Sequence, residues 1–553
     1  MPSPPRIEIV PLGGLGEFGM NLMLYRHGQD CIVVDAGMMF PGAEHLGVDV
    51  VIPNLDYLDV CGTIHGVLLT HGHEDHTGAL PYLLARREVP VHAAPFTLGL
   101  VRARLSEHDL AVRGLLRPLP TDGTKLTLGP FAIETLPVAH SIPQAAMLVI
   151  RTPVGTVVHT ADFKLDPTPM DGVGADLSVL ARLGDEGVLA LLSDSTNADR
   201  PGFTPGERTV VPVLDSLLAS ARARVFVTSF ASNIERLQQV TALAGRHGRK
   251  VALLGASMLG HSDVAERLGL LKIPAGLRVD AETAMNLPRE RALILATGSQ
   301  GEPMSALARI AVDEHRDARV EEGDLVIHSA RTIPGNEKSI GRMINHLLRR
   351  GADVVTQAEA PVHVSGHPAR EELKLLLRLL RPKFLIPIHG EYRQLREHAR
   401  VGREAGLASD AVIVADSGDL IALTENECRI VDRVPVGQVF IDDALEEVDL
   451  SVLRDRRRIA GDGIVVTVVA VDRVSGGVNG TPEIISRGFL PEGGEETVLE
   501  EARHVVSLSL AEATPEERAD EGLLKARIAT DLKRFLRRRT QRRPLIVPVL
   551  VEL

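Results

Sequence analysis

Gly66-Val67-Leu68-Leu69-Thr70 runs directly into His71-Gly72-His73-Glu74-Asp75-His76, and the reading of this stretch decides the fold. The apolar run reads as a buried strand. The polar cluster stands at its carboxyl end, where α/β folds collect their sites. In the extended exit from a strand, His71 and His73 point to one side, while a turn at Asp75 and His76 aims a second pair elsewhere. That is an arrangement for two adjacent cations. Imidazole and carboxylate donors without thiolate suit zinc, with manganese as a competitor. A solvated, turn-forming loop accounts poorly for so dense a set of donors.

The same grammar recurs outward from this stretch. Cys31-Ile32-Val33-Val34-Asp35, Val188-Leu189-Ala190-Leu191-Leu192 and Lys383-Phe384-Leu385-Ile386-Pro387 are short apolar runs between longer helical patterns, an alternation that predicts an α/β fold. Three more donors follow such strands and are candidates to complete the site: His140 in Val138-Ala139-His140-Ser141, Asp162 in His159-Thr160-Ala161-Asp162, and His389 in Pro387-Ile388-His389-Gly390. A carboxylate such as Asp162 can bridge two cations, and the pKa of water shared between them falls to roughly 7.

From about Arg208 to Ala360 the style changes to repeated strand and helix units, with strands at Arg224–Thr228, Val251–Leu254, Leu293–Ala296 and Leu325–His328. These read as a second parallel sheet. Histidine-rich strand ends resume with Val362-His363-Val364-Ser365-Gly366-His367, so the second domain reads as an insertion into the first. The expected organisation is a first domain over residues 1–207 and 361–447, an inserted domain over 208–360, a charged helical linker over 448–463 and a small α/β domain over 464–553.

Composition narrows the partners. The formal net charge of −12 argues against coating nucleic acid through a general basic surface. With no Trp and only four Tyr, any nucleic-acid contact must lean on the backbone rather than on an aromatic stacking platform. Cys31, Cys61 and Cys428 form no Cys-x-x-Cys pair, which speaks against a disulfide framework and suits a reducing cytoplasm. The Pro-rich stretch Met1 to Arg6 lacks the order of a secretory signal. No apolar run approaches the roughly 18 residues of a membrane span, so a cytoplasmic protein without a membrane partner is expected.

The string His71-x-His73-x-Asp75-His76 with later His, Asp and His donors resembles the signature of the metallo-β-lactamase superfamily. Asp194 in Leu192-Ser193-Asp194-Ser195-Thr196, His367 and His389 match the further motifs of its nucleic-acid-processing β-CASP branch. Gly13-Gly14-Leu15-Gly16-Glu17-Phe18-Gly19-Met20-Asn21, Ser229-Phe230-Ala231-Ser232-Asn233, Ile333-Pro334-Gly335-Asn336-Glu337 and Arg543-Pro544-Leu545-Ile546-Val547-Pro548-Val549 extend the likeness to the bacterial ribonuclease J family over essentially the whole chain. Two departures, Ala330-Arg331-Thr332 where Arg-Pro is expected and Pro368 after His367, leave the donors intact and bear only on fine substrate contacts.

The resemblance implies an αββα sandwich with an inserted β-CASP domain and a small C-terminal domain. It implies two zinc ions per subunit, with manganese or magnesium as alternative activating metals. His71, His73 and His140 would hold one and Asp75, His76 and His389 the other, with Asp162 bridging. The implied activity is hydrolysis of single-stranded RNA by two-metal hydroxide attack, 5′-to-3′ and also internal, in RNA maturation and decay. Asp75 serves the chemistry as well as the metal. Asp194 would orient His367, the candidate to protonate the departing 3′-oxygen. Ser232, Asn233, His363, Val364, Ser365, Gly366 and His367 would form a pocket for a 5′-monophosphate. A homodimer and RNA-degradation partners are also implied. A His at position 367 goes with RNA rather than DNA; a DNA nuclease and a non-catalytic RNA-decay scaffold are the alternatives.

Three weaker signals are read conservatively. Gly13-Gly14-Leu15-Gly16 is expected to be a tight loop under the site rather than a phosphate loop. The basic run Lys533, Arg534, Arg537, Arg538, Arg539, Arg542 and Arg543 is expected to be a solvated helix end, and Asp35, Asp49 and Asp56 are expected to be turn residues.

Overall fold

The computed structural model describes residues 5–42, 44–110, 114–120, 123–170, 172–333, 335–442, 446–471, 480–490 and 495–552. Pro334 of the Ile333–Glu337 string, the first four residues and Leu553 lie outside them. Two compact units emerge, residues 1–40 with 51–439, and residues 41–50 with 440–553.

In the first unit, period-two patterning builds two sheets. One runs in the order Cys428–Arg433, Asp419–Leu423, Ile7–Gly13, Leu22–His27, Asp30–Val34, Thr63–Leu68, Val91–Ala93, Leu116–Pro118. The other runs Phe384–Ile388, Ala190–Asp194, Gly155–His159, Ala146–Thr152, Phe131–Pro137, Leu126–Leu128. Ile7, Ile9, Tyr25, Ile32 and Val34 of the first share one core with Ile133, Leu148, Ile150, Val157 and Leu192 of the second. The alternate residues face outward. Val10, Leu22, Leu24 and Val33 pack on the helices Leu80–Arg86 and Pro95–Glu107, while Met147, Val149, Val158 and Leu191 pack on Leu177–Glu186 and Arg370–Leu380. This is the αββα sandwich.

A third sheet of five parallel strands has the order Lys250–Leu254, Ala292–Ala296, Val225–Thr228, Leu325–His328, Asp353–Val355. Both faces are buried, Val225, Val227, Leu293 and Leu295 on one and Phe226, Ile294 and Val326 on the other, as parallel sheets require. The segment interrupts two strands that pair in parallel, with Asp194 opposite Ile388. Its root is polar and buried: Arg236 is fully buried, pairs with Glu207 and donates to the carbonyl of Val362 at 2.8 Å. The equally buried Glu372 collects the backbone N–H groups of Leu165, Thr204 and Ala369.

In the second unit Ile464–Val471 lies between Glu483–Arg487, antiparallel, and Leu545–Glu552, parallel. The helix Glu521–Thr540 begins at Asp520, whose side chain accepts from the N–H groups of Gly522 and Leu523. It buries Leu524, Ile528, Leu532 and Leu536 against Val465, Val469 and Ala502, one residue per turn on a single face. The stretch expected as a linker carries the helix Leu450–Asp462, which belongs to this unit, and Arg456 ties it to the carbonyls of Leu46 and Gly47 at 3.1 and 2.8 Å. Among the described residues no helix is long and apolar enough to cross a membrane.

Candidate metal centre

The strand Thr63–Leu68 ends before His71, and a one-turn helix, Glu74–Thr77, starts at His73. This tight exit separates the donors as the spacing predicts. His71, His73, His140 and Asp162 form one group and Asp75, His76, Asp162 and His389 another, the donor atoms in each lying within 4.8 Å of one another. Asp162, only 2% exposed, stands between them: its Oδ2 is 3.7 Å from His71 Nε2, 3.6 Å from His140 Nε2 and 3.4 Å from His76 Nε2. Its Oδ1 lies 3.5 Å from His389 Nε2 and makes no hydrogen bond, although it is buried. Two backbone strains accompany these donors, since Ala161 (φ +51°) and His389 (φ +55°) both adopt the left-handed region.

The far nitrogen of each ring is held, which fixes the tautomer and leaves the other nitrogen for a cation. His140 Nδ1 donates to the carbonyl of Gly366 at 2.7 Å. That contact needs glycine, because a Cβ on residue 366 would stand 2.6 Å from His140 Nδ1. His389 Nδ1 bonds Thr196 Oγ1 at 2.7 Å, and His73 Nε2 bonds Ser232 Oγ at 3.1 Å. His76 Nδ1 donates to Asp35 Oδ2 at 2.7 Å. His71 Nδ1 meets Thr70 Oγ1 at 3.1 Å, and that hydroxyl donates to Asp35 in turn at 2.9 Å.

Asp35 thus orients one imidazole of each group. The reading of Asp35 as a turn residue is corrected: it is 1% exposed and left-handed (φ +62°). Its sequence signal was only its place at a strand end. Asp56 is exposed, pairing with Arg86. In the stretch Gly13–Gly16, expected as a loop, the chain bends only at Gly14 between the strand Ile7–Gly13 and the two-residue strand Leu15–Gly16, which pairs Leu15 with Gly390, beside His389.

Electrostatics favour a cation here. Burial pushes His71 and His140 well below the imidazole range and His73 to about 4. For His389 burial resists the charge, but Asp162, Asp194 and Asp75 outweigh it and carry the ring to about 10. His76 is raised in the same way, with Asp162, Asp75 and Asp35 overcoming burial. The ring nitrogens of His71, His73 and His140 converge at 3.1 and 3.2 Å. Lone pairs so directed repel unless a proton or cation lies between them, and this buried set of nitrogen and oxygen donors is a divalent metal site.

Beside it, His367 Nδ1 lies 2.8 Å from Asp194 Oδ2, and Asp194 is fully buried. Burial opposes the Asp194 charge, but His367 and His389 hold its carboxyl below the usual range. The other expected pocket residues take different parts. Ser365 Oγ accepts from Asn197 Nδ2 at 2.9 Å, and Asn233 caps the helix Ile234–Arg246 through its side-chain oxygen. Val364 is buried in the apolar core, leaving only its backbone for a ligand. Asn197, Thr196 and Thr70 carry no motif of their own, and sequence reading missed them.

Fold and site together define a metallo-β-lactamase-type hydrolase. The metallo-beta-lactamase superfamily matches residues 15–191, and the Zn-dependent metallo-hydrolase RNA specificity domain matches residues 351–414. The Ribonuclease J beta-CASP domain matches residues 222–347 and the Ribonuclease J C-terminal domain 451–553. Ribonuclease J of Thermus thermophilus is 40% identical over 99% of this chain and 95% of its own length. Ribonuclease J2 of Bacillus subtilis is 37% identical over 99% and 98%. The chain belongs to the ribonuclease J family. A solved structure of a protein of unknown function from Enterococcus faecalis shares the fold, with a TM-score of 0.53 at 17% identity over 76% of this chain and all of its own.

Proposed function

We propose that this metal-dependent ribonuclease hydrolyses single-stranded RNA, removing nucleotides 5′-to-3′ from a 5′-monophosphorylated end and also cutting internally. His71, His73 and His140 would hold one zinc ion and Asp75, His76 and His389 the other, with Asp162 reaching both; manganese or magnesium suits the same oxygen and imidazole donors. When bound, the cations supply a nucleophile at neutral pH and neutralise charge on the phosphate. The chain's own chemistry is proton delivery. Asp194 occupies Nδ1 of His367, so the proton that reaches the departing 3′-oxygen comes from Nε2 as the P–O3′ bond breaks. The products carry a 5′-phosphate and a 3′-hydroxyl. The observation that carries this reading is the His367–Asp194 pair at 2.8 Å, its donor atoms clustered with those of Asp162 and His389.

The exposed outer face of the second unit's sheet, with Ile485, Val549 and Val551 36–42% exposed, supports a homodimer. The three buried, unpaired cysteines suit a reducing cytoplasm.

The test is digestion of matched RNA and DNA oligonucleotides bearing 5′-monophosphate, 5′-triphosphate or 5′-hydroxyl ends, with Asp75→Ala as the control. Mononucleotides from 5′-monophosphorylated RNA support the exonuclease, and internal fragments support the endonuclease. Cleaved DNA beside intact RNA refutes the substrate assignment.

A further inference from the structure

Among the described residues, Arg236, Lys164 and Arg331 are the arginine and lysine cations that act on His363 of the loop His363–His367, and the first two are compensated. Arg236 is paired with Glu207, and Lys164 lies 3.6 Å from Asp166 and 3.8 Å from Glu207. Arg331 differs. Among the described residues no carboxylate forms an ion pair with it; its Nη1 donates to Asn197 Oδ1 at 2.7 Å. Asn197 passes the contact on, donating to Ser365 Oγ at 2.9 Å and to the carbonyl of His367 at 3.2 Å.

The guanidinium is half-buried and its backbone is fixed. Gln300 donates to the carbonyl of Arg331 at 2.9 Å and accepts from the N–H of Ile333 at 2.8 Å, while Ser329 Oγ donates to the carbonyl of Val362 at 2.7 Å. Asp199, the acid that acts on it, is engaged by Arg393 at 2.9 Å. A second unmet group lies in the same place: His363 is 6% exposed and its Nδ1 has no hydrogen-bond partner. A half-buried cation on a hydrogen-bonded loop, without an ion pair, near a buried polar atom without a partner, is a site that lacks an anion.

We infer that Arg331 is the residue that reads the 5′-terminal phosphate of the RNA. The inference rests on the proposed 5′-end pocket and deepens it. A terminal phosphomonoester carries about −1.5 to −2 charges at neutral pH and three acceptor oxygens, where a 5′-hydroxyl end offers neither. The planar guanidinium fork matches that group, and the Asn197 relay couples its seating to Ser365 and to the backbone of His367, so a phosphate on Arg331 also registers the chain against the proton donor.

The experiment compares kcat/KM on one RNA sequence with a 5′-monophosphate or a 5′-hydroxyl end, for the wild type, Arg331→Gln and Arg331→Lys, with metal content measured for each. Glutamine removes the charge and keeps an amide donor for Asn197; lysine keeps the charge. The wild type should prefer the monophosphate. Arg331→Gln should lose about tenfold to a hundredfold of that preference, the factor a charged hydrogen bond is worth, through KM on the monophosphorylated RNA alone. Arg331→Lys should keep most of it, with metal content unchanged in both. Wild-type preference in Arg331→Gln, or equal losses on both RNAs in both variants, overturns the inference and leaves Arg331 as a prop for Asn197. A wild type without any preference refutes the 5′-end pocket itself, and the inference with it.

Discussion

Asp35→Asn tests whether one buried carboxylate organises both halves of the metal centre. Asp35 Oδ1 accepts from Thr70 N at 2.8 Å, and Oδ2 accepts from Thr70 Oγ1 at 2.9 Å and from His76 Nδ1 at 2.7 Å. Asparagine keeps the shape and one acceptor oxygen. With that oxygen on Thr70 N–H, the new amide N–H faces His76 Nδ1, and the proton of His76 must move to Nε2, against Asp75 and Asp162. The loss is one hydrogen bond to a charged group, about 1.5–3 kcal/mol, which corresponds to the 10- to 100-fold fall in metal affinity found for outer-shell changes. Both groups should weaken, since His71 leans on the same carboxylate through Thr70. Competition with a chelator, read by metal-to-protein stoichiometry, measures it. Thr70→Val is the partner experiment: it removes the relay to His71 and spares His76, so metal held by the His71 group should loosen and metal held by the His76 group should not. Wild-type metal affinity in Asp35→Asn would refute the reasoning, as would a loss of folded structure equal in size to the loss of metal.

His367→Ala should slow RNA cleavage by about 10²- to 10⁴-fold, the range of general acid catalysis, with metal content near that of the wild type; loss of metal would assign His367 a structural part. Gly366→Ala places a Cβ 2.6 Å from His140 Nδ1, so weaker binding of one ion is expected in the same chelator titration. Arg236→Met leaves the buried Glu207 with Lys164 alone, 3.8 Å away, and should cost up to about 3–5 kcal/mol of stability in denaturant unfolding of the whole chain. Ile528→Ala, on a fully buried side chain of the second unit, should cost about 2–5 kcal/mol, seen in the same measurement.

The donors were legible because each stands at a strand end with its motif written locally: His71 to His76 follow Thr63–Leu68, and His389 follows Phe384–Ile388. Strand limits were less legible. The run at 188–192 reads as a strand, yet the ladder covers Ala190–Asp194, because the register with Phe384–Ile388 decides which residues pair. What supports the donors was hardest to see. Asp35 and His76 are 41 residues apart, and Gly366 and His140 are 226 apart. Nothing in the local pattern around Asp35 separates a carboxylate under a histidine from one closing a turn. Its partner is chosen when Asp30–Val34 pairs in parallel with Thr63–Leu68, a tertiary event that periodicity does not encode. Asn233 shows the reverse, a local signal with two outcomes, since the same side chain suits a ligand contact and the helix cap it makes.

The position of the insertion explains how an RNA-directed chemistry is added to a hydrolytic sandwich without moving its metals. The chain leaves the second sheet at Asp194 and re-enters at Phe384, and these strands are immediate parallel neighbours. Whatever lies between must return to the place it left. The return path passes over the donor cluster, so His367 arrives at 2.8 Å from Asp194 and the carbonyl of Gly366 at 2.7 Å from His140. The fixed strand spacing therefore gives His367 its place, and the buried Arg236 and Glu372 lock the two crossings. Loops of the inserted sheet, Ser229–Asn233 after one strand and Ser329–Arg331 after another, are delivered to the same rim. Variation in those loops can change contacts to RNA while the clustered His and Asp donors stay where the sandwich puts them. That separation makes the Arg331 and Asp35 experiments independent, one reading substrate choice and the other metal retention.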